Sequence, residues 1–151
     1  MPQPALPWDA GCRCGAVRFR ITKPALMTVA CHCTGCQKMT GSAFSTSIMV
    51  PADAVDIVSG KTVRGGAGEG MLHHQHCDAC KSWLFTRFEP DPGFINVRAT
   101  VLDDARWYAP FAETYTSEAL PWAETGAIVS FERFPAPEEH GKLLADFAAR
   151  V

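Results

Sequence analysis

The stretch CHCTGCQKMTGSAF, residues 31–44, carries three of the seven cysteines of the chain on what reads as a single turn. The other four form two separate pairs, one on each side of this stretch. The seven cysteines are Cys12, Cys14, Cys31, Cys33, Cys36, Cys77 and Cys80. Cysteines two or three positions apart in a chain kept reduced are typical of metal sites, and an odd number would leave one thiol over in any disulfide scheme. The spacing therefore predicts metal binding.

The cysteines divide naturally into four and three. A closed structural zinc site takes four tetrahedral ligands, and two short pairs from distant parts of a chain can supply them. The pairs Cys12/Cys14 and Cys77/Cys80 fit that description because each stands alone. The remaining group, at positions 31, 33 and 36, would leave one coordination position free, which is the architecture of a catalytic or exchangeable zinc.

The ligand set of the second site favours thiol chemistry. Three thiolates around Zn²⁺ give a net charge near −1, so such a site should activate water less well than a three-histidine site does. A soft, electron-rich zinc is better suited to exchanging its water for an incoming thiolate. We therefore expect a thiol substrate before a hydrolysable one.

Several residues offer alternative interpretations of the second site. His32 could complete it, although neighbours on an extended chain point to opposite faces; a buried aspartate or a second copy could do so too. In the run before Cys77, alternation would put His74 and His76 together as further candidates. Candidates for substrate contacts are Ser42 after the Gly41 turn and the aromatic residues Tyr115 and Trp122, while Trp107 and Tyr108 are expected in the core.

Length and composition narrow the class of protein. The 151 residues suit one domain, and 47% hydrophobic with 20% charged residues is globular composition. The net charge of −2, with only Arg18, Arg20 and Lys23 clustered, argues against a nucleic-acid partner. No apolar run is long enough to cross a membrane, and residues 1–10 lack the pattern of a secretory signal. We therefore expect a cytoplasmic protein whose thiols stay reduced.

Alternating apolar residues predict a mainly β fold. The clearest strands are 16–22, with Val17, Phe19 and Ile21 on one face, then 44–50 and 94–101. Shorter strands are expected at 27–30, 55–58, 71–75, 83–88 and 128–131. Many short strands separated by turn residues indicate an antiparallel sandwich or open barrel.

Helix is expected in only two places. Residues 34–40 could form one or two turns that end at Gly41, and residues 142–150 carry Leu143, Leu144 and Phe147 at helical spacing. The glycine-rich segment 64–70 is predicted to be a loop rather than a phosphate cradle, because no Gly-Lys-Ser/Thr follows it.

Three motifs of the chain, together with four later landmarks, resemble those of one known family. GCRCGAVRF at 11–19, the 31–44 stretch, and CDAC at 77–80 with LF at 84–85 are similar to motifs of the glutathione-dependent formaldehyde-activating enzymes, the group that includes centromere protein V. VLDD at 101–104, YTS at 115–117, PW at 121–122 and FERF at 131–134 resemble the family's later landmarks. The resemblance covers nearly all of residues 11–134.

The resemblance implies a fold, two zinc ions and a reaction. The fold would be Mss4-like, with an N-terminal tail at 1–10, the zinc-binding domain at 11–134 and an extension with a short helix at 135–151. The structural zinc would take Cys12, Cys14, Cys77 and Cys80, and the catalytic zinc Cys31, Cys33 and Cys36. The reaction would be that of a carbon–sulfur lyase, which joins glutathione with formaldehyde. A non-catalytic zinc module that binds a protein partner is the alternative.

The third motif departs from the family pattern. Lys81 stands where family members usually have glycine, Trp83 where proline is frequent, and His76 where an aromatic is usual. If position 81 needs a positive φ, lysine there should cost roughly 1 kcal/mol relative to glycine. These departures predict altered surroundings near the third motif.

Overall fold

The computed structural model describes residues 2–67 and 70–151. Over this part of the chain it forms eleven strands and two α-helices. The strands are β1 Trp8–Gly11, β2 Arg18–Ile21, β3 Met27–Cys31, β4 Ser45–Pro51, β5 Val55–Ser59, β6 Thr62–Gly65, β7 Leu72–Cys77, β8 Trp83–Phe88, β9 Phe94–Arg98, β10 Ala112–Thr114 and β11 Val129–Ser130. The helices are α1 Thr34–Thr40 and α2 His140–Ala148, with 3₁₀ turns at Ala99–Val101, Thr116–Glu118 and Pro137–Glu139.

The strands form two sheets, which confirms the mainly β prediction. One is three-stranded in the order β1-β2-β5, and the other is eight-stranded in the order β11-β10-β3-β4-β9-β8-β7-β6. Most neighbours are antiparallel, but β10 pairs in parallel with both β3 and β11. Parallel neighbours need long crossover connections, and most of the chain lies between β3 and β10. The antiparallel pairing expected from the sequence therefore holds for the other strand pairs but not for those of β10.

The core lies between the two sheets. Phe19 of β2 and Phe85 of β8 meet edge to face there, with ring centroids 5.7 Å apart. Alternation is confirmed in β2 and in β9, where Ile95 and Val97 are buried, although β9 ends at Arg98 and the chain then turns into a 3₁₀ segment. Strand β4 differs, because it is central in the large sheet and buries both faces, including Ser45 and Ser47.

Two segments expected to be irregular form strands. Residues 8–10, assigned to an N-terminal tail, belong to β1, where Trp8 and Ala10 are buried and pair with β2. Arg64 and Gly65, assigned to the glycine-rich loop, close β6; residues 68 and 69 of that loop lie outside the described residues. Strand β1 contains only Trp8 and Ala10 as apolar residues besides glycine, and β6 only Val63, so neither shows a clear alternation in the sequence.

Both helices occur where the sequence predicted them. Helix α1 ends at Gly41, whose φ of 63° is the left-handed conformation that glycine adopts most easily. Helix α2 starts two residues earlier than expected and buries Leu143 and Phe147. The Phe147 ring packs on Phe111 at 5.6 Å, which fixes α2 against the large sheet. No helix in the described residues is long and apolar enough to span a membrane.

Candidate metal centres

The first cysteine group joins the two sheets. Cys12 and Cys14 lie in the turn between β1 and β2, whereas Cys77 ends β7 and Cys80 lies in the turn before β8. All four sulfurs lie within 4.8 Å of one another, with Cys12 Sγ and Cys14 Sγ 3.5 Å apart. Cys14 Sγ and Cys77 Sγ are 3.8 Å apart. Tetrahedral zinc with bonds of about 2.3 Å holds its sulfurs about 3.8 Å apart, so this four-cysteine group can hold a metal ion.

The two turns that carry the four-cysteine group direct backbone N–H groups at the sulfurs. Val17 N donates to Cys12 Sγ at 3.2 Å, and Cys80 N donates to Cys77 Sγ at 3.4 Å. The Ser82 hydroxyl lies 3.1 Å from Cys80 Sγ and lowers the pKa of that thiol to about 5. Lys81 has a φ of 61°, so the backbone at position 81 adopts the left-handed conformation in which lysine is less favourable than glycine.

The second cysteine group surrounds the start of α1. Cys31 is the last residue of β3, Cys33 is the N-cap of α1, and Cys36 lies in its first turn. Their sulfurs lie within 4.8 Å of one another, and Cys36 N donates to Cys33 Sγ at 3.3 Å. All three side chains are partly exposed. Within residues 2–67 and 70–151, no His, Asp or Glu joins this three-cysteine group.

The thiols of the three-cysteine group form hydrogen bonds with one another. A hydrogen bond from Cys36 lowers the pKa of Cys31 to about 5, against the effect of burial. The pKa of Cys33 is raised, mainly by burial, and that of Cys36 is raised by the same bond to Cys31. One thiolate is thus stabilised by protonated neighbours. Soft thiolates this close together suit a borderline-soft cation such as zinc, so this group can also hold a metal ion.

His32 lies on the opposite side from the three sulfurs. It is almost fully buried, and its Nε2 is 2.9 Å from Glu113 Oε2. Thr125 Oγ1 and Ser130 Oγ each donate to Glu113 at 2.6 Å. Burial alone would raise the pKa of Glu113, but these hydrogen bonds and that with His32 lower it. His32 therefore anchors the turn between Cys31 and Cys33 to strand β10.

Two of the three histidines of β7, His74 and His76, pack around an indole. Trp83 lies 5.0 Å from the ring of His74 and is stacked 6.3 Å from that of His76. The Trp83 indole N–H donates to Thr86 Oγ1 at 3.2 Å, and that hydroxyl bonds His74 Nδ1 at 2.8 Å. Neither histidine belongs to a cysteine group of the described chain. The expectation that alternation brings His74 and His76 together is confirmed.

A cavity of about 810 Å³ lies between α1 and the four-cysteine group. Ser42 lines it, as do Met39 and Cys12, but none of the three cysteines around α1 does. The other two candidates for substrate contacts lie elsewhere. Tyr115 packs edge to face on Phe134 at 5.0 Å, and Trp122 is 73% exposed. Of the three candidates for substrate contacts, the structure thus brings only Ser42 to this cavity.

Sequence reasoning missed two residues of the site. Glu113 lies 81 positions from His32, so no local pattern connects them. Arg98 lines the cavity, and its guanidinium lies over the Trp83 ring at 4.1 Å. The one sequence signal for Arg98 was its place in the predicted strand 94–101 among buried apolar residues. A charged residue is rarely buried unless it has a partner.

Comparisons with known proteins agree with the motifs. The family described as "Glutathione-dependent formaldehyde-activating enzyme" matches residues 7–118. A Penicillium rubens protein named "Putative glutathione-dependent formaldehyde-activating enzyme" is 30% identical over 115 residues, which are 72% of this chain and 60% of that protein. The chain therefore spans about 60% of that relative's length.

A Rhodobacter sphaeroides protein of known crystal structure is also similar, at 17% identity and a TM-score of 0.49. The similarity covers 63% of this chain and 87% of that one. The family match, which includes all seven cysteines, covers well over half of the sequence. The chain belongs to the family of glutathione-dependent formaldehyde-activating enzymes.

Proposed function

We propose that the protein is a zinc-dependent carbon–sulfur lyase that joins a thiol, glutathione or a relative, with formaldehyde or another small carbonyl compound. The observation that carries the proposal is the three-cysteine group, whose partly exposed sulfurs lie within 4.8 Å of one another with no fourth side-chain ligand among the described residues. Zinc bound there would supply a Lewis acid able to keep an added thiol deprotonated at neutral pH. The family name supports the same pair of substrates.

The chain's own residues would orient the reactants. Cys31, Cys33 and Cys36 fix the place of the reaction, and the bond between His32 and Glu113 holds their turn on β10. In the reaction a sulfur–carbon bond forms, the carbonyl π bond breaks, and the thiol proton passes to the carbonyl oxygen. Atoms and electrons balance in this reaction without an oxidant. Proximity of the two reactants would supply most of the acceleration.

Exchange spectroscopy on the purified zinc-loaded protein tests the proposal. Interconversion of glutathione and formaldehyde with their adduct should be faster with the protein than in a blank. Cys36→Ala should abolish that excess, whereas Lys142→Ala on the exposed side of α2 should keep it. A wild-type rate equal to the blank would show that the proposed reaction is wrong.

The second candidate is a non-catalytic zinc module that binds a protein partner. It is favoured by exposed apolar side chains in the C-terminal part, namely Trp122, Ile128 and Phe134, which are 73%, 58% and 69% exposed. Cobalt substitution separates the candidates. An open three-cysteine site changes its absorption when glutathione is added, and a closed one does not.

The proposal includes a location and a functional unit. We place the protein in the cytoplasm, because both cysteine groups need reduced thiols to bind zinc. We assign the function to residues 11–134, which contain every proposed metal ligand and every motif of the resemblance. Residues 135–151 would support this unit through the packing of Phe147 on Phe111.

A further inference from the structure

The strand register places several polar side chains on the same face of the sheet as Cys31. Thr114 of β10 is paired with Cys31, and Cys31 is paired with Ser45 of β4. Ser47, two residues after Ser45, is paired with Arg98 of β9. Directly paired residues share a face of the sheet, and so do residues two apart on one strand. The hydroxyls of Thr114, Ser45 and Ser47 and the guanidinium of Arg98 therefore lie on the face from which Cys31 projects.

Three of these side chains carry polar atoms that the rest of the fold leaves unpaired. Ser45 Oγ, Thr114 Oγ1 and Arg98 Nε are buried and lack a hydrogen-bond partner of ordinary geometry among the described residues. Seven side-chain atoms of the described chain share this condition, and three of the seven belong to Ser45, Thr114 and Arg98. Buried polar groups are normally paired, and such a concentration indicates an acceptor nearby.

The hydroxyls of Ser45 and Thr114 lie beside a thiol. Thr114 and Ser45 are the direct partners of Cys31 on its two neighbouring strands, so their side chains flank that of Cys31. Each hydroxyl can donate a hydrogen bond to a thiolate there. Hydrogen bonds from outside a ligand set commonly tune it in this way.

Arg98 carries a positive charge in the interior of the protein. Only 7% of it is exposed, and no carboxylate of the described chain pairs with it. Burial lowers its pKa to about 10, and the sulfurs of Cys36 and Cys31 oppose that shift. Its contact with the Trp83 ring, 4.1 Å from the centroid, orients the guanidinium. A buried charge without compensation is strongly destabilising, so the cysteine thiolates are its natural counter-charge.

We infer that Arg98, supported by Ser45 and Thr114, offsets the negative charge of the three-cysteine group and thereby lets this centre accept a fourth, anionic sulfur ligand. The inference rests on the proposed function, which makes the centre exchangeable. Three thiolates and one divalent ion carry a charge of about −1, and an added thiolate would make it about −2. The Arg98 charge returns the total to about −1. Arg98 is thus a positioning residue that acts on the ligand through the cysteines.

The test measures ligand affinity by the visible absorption of the cobalt-loaded protein. The probes are 2-mercaptoethanol, which binds as an anion and has no carboxylate, and imidazole, which is neutral. Arg98→Met should weaken 2-mercaptoethanol binding roughly tenfold or more while imidazole binding changes less than about twofold, because only the anion senses the lost charge. Arg98→Lys should recover most of the thiol affinity.

A second variant tests the hydroxyl without changing charge or shape. Thr114→Val should move the sulfur-to-cobalt charge-transfer band to lower energy, since the thiolate of Cys31 loses a hydrogen bond. An unchanged band would remove Thr114 from the proposal. Circular dichroism of each variant shows that the fold is kept.

Three outcomes would overturn the role of Arg98. They are an equal loss of affinity for thiol and imidazole, no loss for either, and a loss with glutathione that is absent with 2-mercaptoethanol. The last would mean that Arg98 contacts a substrate carboxylate. A charge-dependent loss in a protein that does not accelerate adduct formation would instead overturn the proposed reaction and leave this inference standing.

Discussion

Lys81 adopts a backbone conformation that suits glycine better. It has a φ of 61° in the turn after Cys80, and its ammonium pairs with Asp78 at 3.2 Å on the surface. Lys81→Gly should raise the free energy of unfolding by about 0.5–1 kcal/mol, because relief of the left-handed strain outweighs the entropy of glycine and a weak surface ion pair. Urea denaturation of the zinc-saturated protein measures it.

The control for this substitution is Lys61→Gly. Lys61 is also exposed and also near Asp78, at 3.7 Å, but its φ is not positive. Glycine there should lower the stability slightly. If both variants lose stability, the turn at position 81 carries no strain.

His74 should make stability depend on pH. Burial first, then the charge of Arg98, lowers its pKa to about 4 from an ordinary 6.5. The unfolded chain therefore binds the proton more readily, and the stability due to neutral His74 is lost as the pH falls from about 6.5 towards 4. Unfolding free energies measured at pH 7.5 and about pH 5 should differ less for His74→Gln than for the wild type. The exposed His140→Gln is the matched control and should keep the wild-type difference.

Single residues could be predicted when their partners lie close in sequence. The cysteines fall into the two groups expected, because each pair or triplet sits on one turn. The same reasoning placed His32 away from the sulfurs. It could not find Glu113 or Arg98, since their contacts depend on the register of strands far apart in the chain.

Helix α1 depends on the glycine that ends it. Gly41 has a φ of 63°, and a Cβ added there would meet nothing within 4 Å. Gly41→Ala should therefore lower the free energy of unfolding by about 1 kcal/mol through backbone strain alone. The same strain should speed zinc loss from the three-cysteine group, measured with a chromophoric chelator, because α1 carries Cys36.

Gly35→Ala is the opposite control within the same helix. Its added Cβ would lie 3.8 Å from Cys33 Sγ, an ordinary contact, and alanine favours helix over glycine by about 1 kcal/mol. This variant should gain stability. A loss in both variants would mean that crowding near the sulfurs, rather than the helix end, sets the result.

Whether a helix or strand could be predicted depended on how much of its apolar periodicity the sequence contains. Strand β8 and helix α1 have the bounds expected, because six or seven residues give a complete period of alternation or a full turn with its cap. Strands β1, β6 and β10 were missed because each contains at most two apolar residues besides glycine, too few for a clear alternation. The parallel pairing of β10 with β3 has no sequence signal, since it depends on the path of a long connection.

For the whole molecule, the two cysteine groups should differ in their contribution to stability. The four-cysteine group connects the three-stranded sheet to the eight-stranded one, whereas the three-cysteine group lies within the region of β3 and α1. Cys14→Ala and Cys36→Ala should each reduce the zinc content from about two ions per chain to about one. Cys14→Ala should cost roughly 3 kcal/mol or more of unfolding free energy, since metal binding there is coupled to folding, and Cys36→Ala clearly less.

Cys14 suits this comparison because its side chain is exposed, so little packing is lost with it. Metal analysis and urea denaturation on the same samples give both quantities. Equal losses of stability would mean that neither group holds the sheets together. The mainly β class and the two cysteine groups could be predicted from the sequence. That the four-cysteine group connects the two sheets could not, because this conclusion depends on the strand order.

The bridge between the sheets also has a consequence for biosynthesis. Cys14 leaves the ribosome 63 residues before Cys77, its neighbour in the finished group. At roughly 5–20 residues per second, this leaves the early thiols without their partners for roughly 3 to 13 s. During that interval the nascent chain exposes reactive sulfur that only reduced surroundings or a transient metal ion can protect. Oxidative stress should therefore damage newly made copies more than mature ones.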